Sequence, residues 1–154
     1  EATTKILDQL GLGDPQLRKT FIGDEQVKGV SGGQRKRVSI AMEFVAKPYL
    51  LFLDEPTSGL DSTTSHAVVE VVTRAAKQQR CTTIAVIHQP RYETLCLFDN
   101  VILLAAGGYL VYSGPTKEVE KYFAEQLSVR FPEKANPADI FLDSITLDAA
   151  AVTW

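Results

Sequence analysis

Two short apolar runs, separated by a segment of helix length, constrain the fold more than any other feature of the chain. Leu50–Leu53 and Thr82–Ile87 have the length of strands, and their lack of polar alternation is typical of strands buried on both faces. The segment between them has helical spacing from a cap at Ser62 or Thr63 to about Gln79. The order strand, helix, strand predicts an α/β fold with parallel strands at the centre of its sheet. The helix is expected to direct five residues to the core: Val68, Val69, Val71, Val72 and Ala75.

The residues before the first strand predict two helices and a long connection. Ala2–Leu10 has helical spacing and stops at Gly11, and residues 11–30 are predicted to be irregular because they are rich in glycine, aspartate and lysine. Ser31 is a good N-cap for a helix over Gly32–Ala46, which Pro48 ends. The residues of this helix expected to face the core are Val38, Ile40, Ala41, Phe44 and Val45.

The last third of the chain predicts a hairpin between short helices. A short helix is predicted over Arg91–Phe98. Val101–Leu104 and Tyr109–Tyr112 flank a glycine pair, which predicts a hairpin turn. Two further helices, one through Phe123 and one over Ala138–Ile145, follow proline-containing turns.

Composition and charge exclude several classes of protein. Apolar residues make up 45% of the chain and charged residues 23%, which is a soluble globular balance. The net charge of −3 offers no basic field for nucleic acid. The longest apolar run, 101–112, is shorter than the ~20 residues of a membrane helix. Cys81 and Cys96 have apolar neighbours and no metal-like spacing, so both are predicted to be reduced, buried thiols of a cytosolic protein. The chain begins at Glu1 inside a helical pattern, so we interpret it as part of a longer protein.

Two adjacent carboxylates follow the first apolar run. Asp54 is predicted at the carboxyl end of that strand, the edge at which open α/β sheets bind ligands. A carboxylate there can hold Mg²⁺, directly or through water. Glu55 comes next and can orient or deprotonate an attacking water. The alternative is a structural one, an acidic loop that caps the next helix.

A serine and two glycines open the preceding helix in the segment VSGGQ. Free N–H groups and the helix dipole at a helix N-terminus bind anions. Gly32 and Gly33 would let a phosphate approach the backbone, and the Ser31 hydroxyl adds a donor. The alternative is an ordinary serine cap with a flexible glycine pair. The basic run Arg35–Arg37 that follows is interpreted mostly as a solvated face.

A histidine ends the second apolar run. His88 should lie at the same sheet edge as Asp54 and Glu55, where its imidazole could hydrogen-bond a terminal phosphate and hold the attacking water. The structural alternative is a histidine that only packs at a strand end. His66, on a helix without a partner pattern, is assigned no role.

Taken together, these motifs resemble the ATP-binding cassette family over nearly the whole chain, from about residue 4 to residue 144. Val30–Gln34 resembles the signature motif, and Leu50–Asp54 resembles the Walker B strand. Glu55 falls at the catalytic glutamate, Ser58–Asp61 resembles the D-loop, and His88 resembles the switch histidine. Five longer blocks resemble the G subfamily, the white/pleiotropic-drug-resistance type: GVSGGQRKRVSIA, DEPTSGLDSTTS, IHQPR, LFDNVILLAAGGYLVYSGP and NPADIFLD.

The resemblance implies a P-loop NTPase-like (RecA-like) α/β fold, with a mostly parallel sheet flanked by helices. Here the fold would be incomplete, because the family's phosphate loop G-x-x-x-x-G-K-[ST] is missing and the chain contains no Gly-Lys dipeptide. Residues 1–47 would form part of the helical subdomain with the signature helix. Residues 48–146 would form the C-terminal part of the ATPase core, and 147–154 are a tail without an assignment.

The resemblance also implies site roles, with ATP and Mg²⁺ as the bound groups. Catalysis would fall to Glu55 and His88, and Mg²⁺ to Asp54. The ATP of a partner domain would be contacted by Ser31, Gly32, Gly33 and Gln34, with Asp61 at the dimer interface. The implied partners are a second nucleotide-binding domain, paired head to tail, and a membrane-spanning domain of the same polypeptide, with no nucleic acid.

The function implied by the resemblance is ATP hydrolysis coupled to transport of an unidentified lipophilic substrate across a membrane. The segment itself is expected to be soluble and cytosolic, at the cytoplasmic face of that membrane, and inactive alone. Two alternatives stay open at this point. One is a soluble ATPase of the same family that acts in DNA repair or on chromosomes or ribosomes. The other is a non-catalytic truncated product.

Overall fold

The computed structural model of the chain describes residues 2–23, 27–132 and 135–147. It divides into two compact units, residues 1–88 and 89–154. The predicted tail lies outside the described residues apart from Leu147. The predicted boundary at residue 47 separates regions with different functions, and a division of the chain by compactness does not test it. No helix of the described residues is long and apolar enough to cross a membrane.

Three helices form the core of the first unit. Helix α1 spans Ala2–Gln9, α2 spans Gly32–Val45 and α3 spans Ser62–Gln79, and a short 3-10 helix covers Leu17–Lys19 in the connection. These bounds confirm the predicted helices to within about one residue, the usual uncertainty of a helix end. Leu10, Phe44, Val68 and Ala75 are almost wholly buried at the centre of this core.

Two parallel strands carry the predicted strand, helix, strand order of the first unit. Strand β1 covers Leu50–Asp54 and β2 covers Thr82–Val86, and α3 connects them. Their register pairs Leu50 with Thr82 and Asp54 with Val86. The carboxyl ends of both strands therefore lie side by side.

The prediction that both strands are buried on two faces is wrong for the described residues. Leu51 is 6% exposed, but its neighbour Phe52 is 69% exposed, and Ile84 and Val86 on β2 are exposed as well. The cause is the alternation of side chains along a strand, because the helices in the described part of the first unit pack on the side of the sheet that carries Leu51. Val45, predicted to face the core from α2, is also exposed, because it lies in the last turn of that helix.

The second unit is a hairpin with three helices. Strand β3, Asn100–Leu104, pairs antiparallel with β4, Leu110–Pro115, as predicted. Gly107 and Gly108 in the turn have φ of 81° and 80°, which glycine adopts readily. The helices are α4, Tyr92–Leu95, α5, Val119–Gln126, and α6, Pro137–Leu147, with 3-10 helices at Ala106–Gly108 and Thr116–Glu118.

Aromatic rings fill the core of the second unit. The ring centroids of Phe123 and Phe141 lie 4.9 Å apart, and those of Tyr112 and Tyr122 lie 5.0 Å apart.

Both cysteines are free thiols. Cys81, in the first unit, is buried as predicted, but the same prediction for Cys96 is wrong because Cys96 lies exposed at the end of the short helix α4.

Candidate functional site

The carboxyl end of β1 carries the two predicted acidic residues. Asp54 is the last residue of the strand, pairs with Val86 and is exposed. The backbone N–H of Glu55 donates to the carbonyl of Val86 over 3.1 Å, so Glu55 is still attached to the sheet. Its φ of 46° lies in the left-handed region, which turns the chain away from the strand direction. The side chain of Glu55 therefore leaves the sheet at its edge.

The carbonyl of Glu55 is held from two directions. It accepts a hydrogen bond from the backbone N–H of Ser58 over 3.1 Å. It also accepts a longer one, 3.4 Å, from the ammonium group of Lys36 on α2. A non-glycine residue keeps a left-handed conformation only when its surroundings fix it, and these bonds supply part of that fixation.

His88 and Glu55 lie together, as the sequence predicted for residues at one sheet edge. The Nε2 atom of His88 lies 2.9 Å from Oε1 of Glu55. An ionised carboxylate only accepts hydrogen bonds, so the tautomer that forms this bond to such a carboxylate is the one with the proton on Nε2. The side chains are 75% and 45% exposed, so the pair is open to solvent. The phosphate contact assigned to His88 from the sequence stays a prediction.

A complete capping box opens α2. The Ser31 hydroxyl accepts from the N–H of Gln34 over 3.2 Å, and the Gln34 side chain accepts from the N–H of Ser31 over 2.8 Å. These reciprocal bonds satisfy two of the free N–H groups of the helix end. The Ser31 hydroxyl is an acceptor here, so its own proton can still be donated to an anion. Ser31 as N-cap is confirmed.

The two glycines of the first turn of α2 differ in their surroundings. Gly32 is exposed, and a Cβ on it would lie 3.1 Å from a methyl carbon of Leu60. Gly33 is buried, and a Cβ on it would lie only 2.6 Å from Cγ2 of Thr64 on α3. Gly33 is therefore needed for the close packing of α2 on α3. Within the segment Ser31–Gln34, Ser31 and Gly32 are the exposed residues.

Asp61 caps α3, so the predicted cap at Ser62 or Thr63 is wrong. Its Oδ1 accepts from the N–H groups of Thr63 and Thr64, both over 3.0 Å, and its Oδ2 accepts from the Thr64 hydroxyl over 2.5 Å. The hydrogen bond from the Thr64 hydroxyl is the main reason why the pKa of Asp61 lies below its ordinary value. Asp is as good an N-cap as Ser, and the negative charge of its carboxylate also interacts favourably with the positive end of the helix dipole.

The carboxylates fit a divalent cation that is held mainly by other oxygens. The described residues contain no group of three or more His, Cys, Asp or Glu side chains placed to bind a metal ion. Asp54 offers one exposed carboxylate at the strand end. Mg²⁺ is commonly bound by one or two carboxylates together with phosphates and water, and one exposed carboxylate such as that of Asp54 fits that kind of site.

Two residues of this region were not predicted from the sequence to have a role. Lys36 was interpreted as part of a solvated face, but it is half-buried and reaches Glu55. Thr64 contacts both Gly33 and Asp61. Spacing gave a signal for each residue. Lys36 lies three residues after Gly33 and so shares a helix face with it. Thr64 lies three residues after the cap Asp61, where an N-cap side chain commonly bonds.

Two protein-family models match the chain in separate stretches. The model described as ABC transporter matches residues 1–58, which include α2 and β1. The model described as ABC-2 type transporter matches residues 88–149, which include the hairpin and the last helices.

Curated proteins match over nearly the whole chain. The broad substrate specificity ATP-binding cassette transporter ABCG2 of Bos taurus is 47% identical over 99% of this chain, which is 22% of that protein. ABC transporter G family member 28 of Arabidopsis thaliana is 43% identical over 90% of this chain, which is 12% of that protein. The chain thus spans less than a quarter of the length of these relatives.

A solved structure matches the fold. It is the crystal structure of the ADP conformation of an ATP-binding cassette of an ABC transporter, with a TM-score of 0.62 and 22% sequence identity. The match covers 80% of this chain and 45% of the solved one. At this identity the likeness shows the fold, a P-loop NTPase-like one of which this chain carries part.

Proposed function

Because the chain belongs to the G subfamily of the ATP-binding cassette (ABC) transporter family, we propose that it forms part of a domain that binds and hydrolyses ATP to drive transport across a membrane. The observation that carries the proposal is the pairing of Glu55 and His88 at the carboxyl edge of two parallel strands, beside Asp54. Ligands of open α/β sheets bind at this edge.

Each side chain of the edge has a defined part in the proposed reaction. Mg²⁺, when bound, would offset the charge of the phosphate oxygens, and Asp54 would hold it directly or through water. Glu55 would accept a proton from the attacking water at its free carboxylate oxygen, because Oε1 is already bonded to His88. His88 would hold Glu55 in place before ATP binds, and its imidazole would then turn to the terminal phosphate.

A second nucleotide would meet the chain at the start of α2. The chain has no phosphate loop of the form G-x-x-x-x-G-K-[ST], so the groups that cradle phosphates must come from other residues. Ser31, Gly32, Gly33 and Gln34 would face the ATP of a second nucleotide-binding domain, with Ser31 and Gly32 making the direct contacts. Asp61 would lie at the interface between the two domains, where its bonds to Thr63 and Thr64 fix the loop before α3.

A membrane-spanning domain is the other proposed partner. The match of residues 88–149 to the ABC-2 type transporter model supports this proposal, since the model describes a transporter rather than a soluble enzyme. Attachment to such a domain would place this chain at the cytoplasmic face of the membrane. The substrate would be chosen by the membrane-spanning part, and a lipophilic compound is our proposal for it.

The test uses the full-length protein that carries this chain. Glu55→Gln removes the proton acceptor but keeps the shape, so ATP should bind within about threefold of the unchanged protein while hydrolysis falls about 10²- to 10⁴-fold. Glu43→Gln makes the same charge change on an exposed residue of α2 and should hydrolyse normally. Near-normal hydrolysis by Glu55→Gln would refute the role of Glu55.

A pair of Ser31 variants tests the contact with a partner's ATP. Asp and Asn both cap helices as well as Ser does, so Ser31→Asp and Ser31→Asn should keep α2 folded. Only Asp places a negative charge beside the phosphate, so ATP-driven dimerisation should be lost in Ser31→Asp and kept in Ser31→Asn. Equal dimerisation of both variants would show that Ser31 does not face the phosphate. Gly33 is unsuitable for this test, since any side chain there would also strike Thr64.

A further inference from the structure

The first two turns of α2 rest on the segment 55–64 at three points. A Cβ on Gly32 would meet Leu60, and a Cβ on Gly33 would meet Thr64. The third point is a hydrogen bond, in which the ammonium group of Lys36 donates to the carbonyl of Glu55 over 3.4 Å. The start of α2 is thus joined to the loop after β1 by one packing contact and one polar contact, and to the start of α3 by a second packing contact.

Lys36 differs from its basic neighbour in position and surroundings. It lies three residues after Gly33, on the face of α2 that turns toward this segment, and it is half-buried. Arg35 carries a positive charge too, but it is exposed and bonds within its own helix only through its backbone. An ammonium group donates and cannot accept, and its bond to a carbonyl is strengthened by its charge.

The carbonyl that Lys36 contacts belongs to a residue whose backbone lies in the left-handed region. Glu55 has φ of 46°, and its bonds to Val86 and Ser58 come from the sheet and from its own loop. Lys36 is the residue of α2 that holds Glu55. A movement of α2 would therefore act on the backbone of Glu55 through Lys36.

We propose that Lys36 is a positioning residue for Glu55. Through Lys36, a contact between the start of α2 and ATP would change the position of the loop after β1. The inference rests on the proposed function, in which the start of α2 contacts one ATP molecule and Glu55 takes part in the hydrolysis of another. Lys36 would then connect two ATP sites through a single chain. Polar contacts at catalytic sites are often long without substrate and shorten in the reacting complex, and the 3.4 Å bond is expected to do so when the start of α2 engages the partner's ATP.

The experiment measures ATP hydrolysis by the full-length protein with Lys36→Met, Lys36→Arg and Arg35→Met. Met keeps most of the Lys36 stem and removes its donor, so kcat should fall about 5- to 20-fold while KM for ATP stays within about twofold. Arg can still donate to the carbonyl, so Lys36→Arg should recover kcat to within about threefold. Arg35→Met removes the same charge one residue away and should leave both constants unchanged. If Lys36→Met does not fold, Lys36→Leu serves in its place, since leucine also lacks a donor and is a good helix former.

A double variant separates positioning from a general structural effect. If Lys36 acts only through Glu55, Lys36→Met should slow hydrolysis no further in a protein that already carries Glu55→Gln. A further loss in the double variant, an unchanged kcat in Lys36→Met, or an equal loss in Arg35→Met would each overturn the proposal. Failure of the proposed function would look different, because Glu55→Gln would then hydrolyse ATP normally by itself.

Discussion

Gly33 in α2 lies so close to Thr64 in α3 that a Cβ on the glycine would be 2.6 Å from Cγ2 of the threonine. Real Cβ atoms do not approach a carbon that closely. The second glycine of the VSGGQ segment is therefore required by the packing of two helices, whatever contact the segment makes with a nucleotide. The same threonine bonds Asp61 through its hydroxyl, so it joins the start of α2 to the start of α3.

Gly33→Ala should destabilise the first unit. The added methyl group would force Thr64 or the helices to move, which costs about 1–3 kcal/mol in a well-packed site. Alanine is the better helix former by roughly 0.5–1 kcal/mol, which offsets part of that cost. We expect a net loss of about 1–2 kcal/mol in the free energy of unfolding, measured by urea denaturation. Adding Thr64→Ser removes Cγ2 and should restore most of the loss, so an unrelieved loss in the double variant would contradict the contact.

Thr64→Val should raise the pKa of Asp61 toward its ordinary value. Valine keeps the methyl group against Gly33 and removes the hydroxyl, whose hydrogen bond is the main cause of the lowered pKa. The measurement is a titration of the Asp61 carboxyl carbon by NMR. Thr64→Ser keeps the hydroxyl and is the matched control, so an equal rise in both variants would contradict this cause.

The same shift sets the direction of a pH dependence. Because the folded-state pKa of Asp61 is lower than the unfolded one, its contribution to stability is fully present above the unfolded value, about 4. The contribution is lost as the pH falls through the folded-state pKa. Thr64→Val should therefore narrow the difference in stability between neutral and acidic pH.

Leu51→Ala and Phe52→Ala should differ sharply in stability, although the residues are neighbours on β1. Leu51 is 6% exposed and packs in the core of the first unit, so its truncation should cost about 2–5 kcal/mol. Phe52 is 69% exposed, and a change there should cost less than about 1 kcal/mol in the chain alone. Denaturation of the two variants checks this, and a comparable loss in both would show that the other face of the strand is covered too.

The two cysteines should react at very different rates with a thiol reagent. Cys96 is exposed and Cys81 is 7% exposed, so iodoacetamide should label Cys96 in the folded chain and Cys81 only after unfolding. Peptide mass spectrometry identifies the labelled residue. Equal labelling of both thiols without denaturant would mean that the first unit opens readily.

Local signals in the sequence predicted most of the first unit correctly. Ser31 capping α2 follows from the preference of serine for helix starts, and α3 connecting two parallel strands follows from the spacing of its apolar residues. The meeting of Glu55 and His88 was also predicted, because parallel strands bring their carboxyl ends to one edge. These features depend on a few neighbouring residues and on one topological rule.

Features that depend on distant residues were missed or misjudged. The apolar residues of β1 indicate that the strand can be buried, but they do not indicate which of its faces other elements cover. Phe52 lies on a face that is left exposed. The surroundings of Lys36 depend on how α2 rests on the loop after β1. One local feature was misjudged as well: Asp61 was overlooked as a cap because Ser62 and Thr63, its neighbours, are also good caps.

In the proposed function, in which the start of α2 meets a nucleotide, the reciprocal bonds between Ser31 and Gln34 have a consequence for the speed of that recognition. They hold the first turn of α2 in its final shape within the protein alone, so the loss of conformational freedom in this turn occurs during folding. An incoming phosphate then meets donors that are already oriented and does not wait for a loop to order. Binding at this turn should accordingly be limited by encounter between domains rather than by local rearrangement.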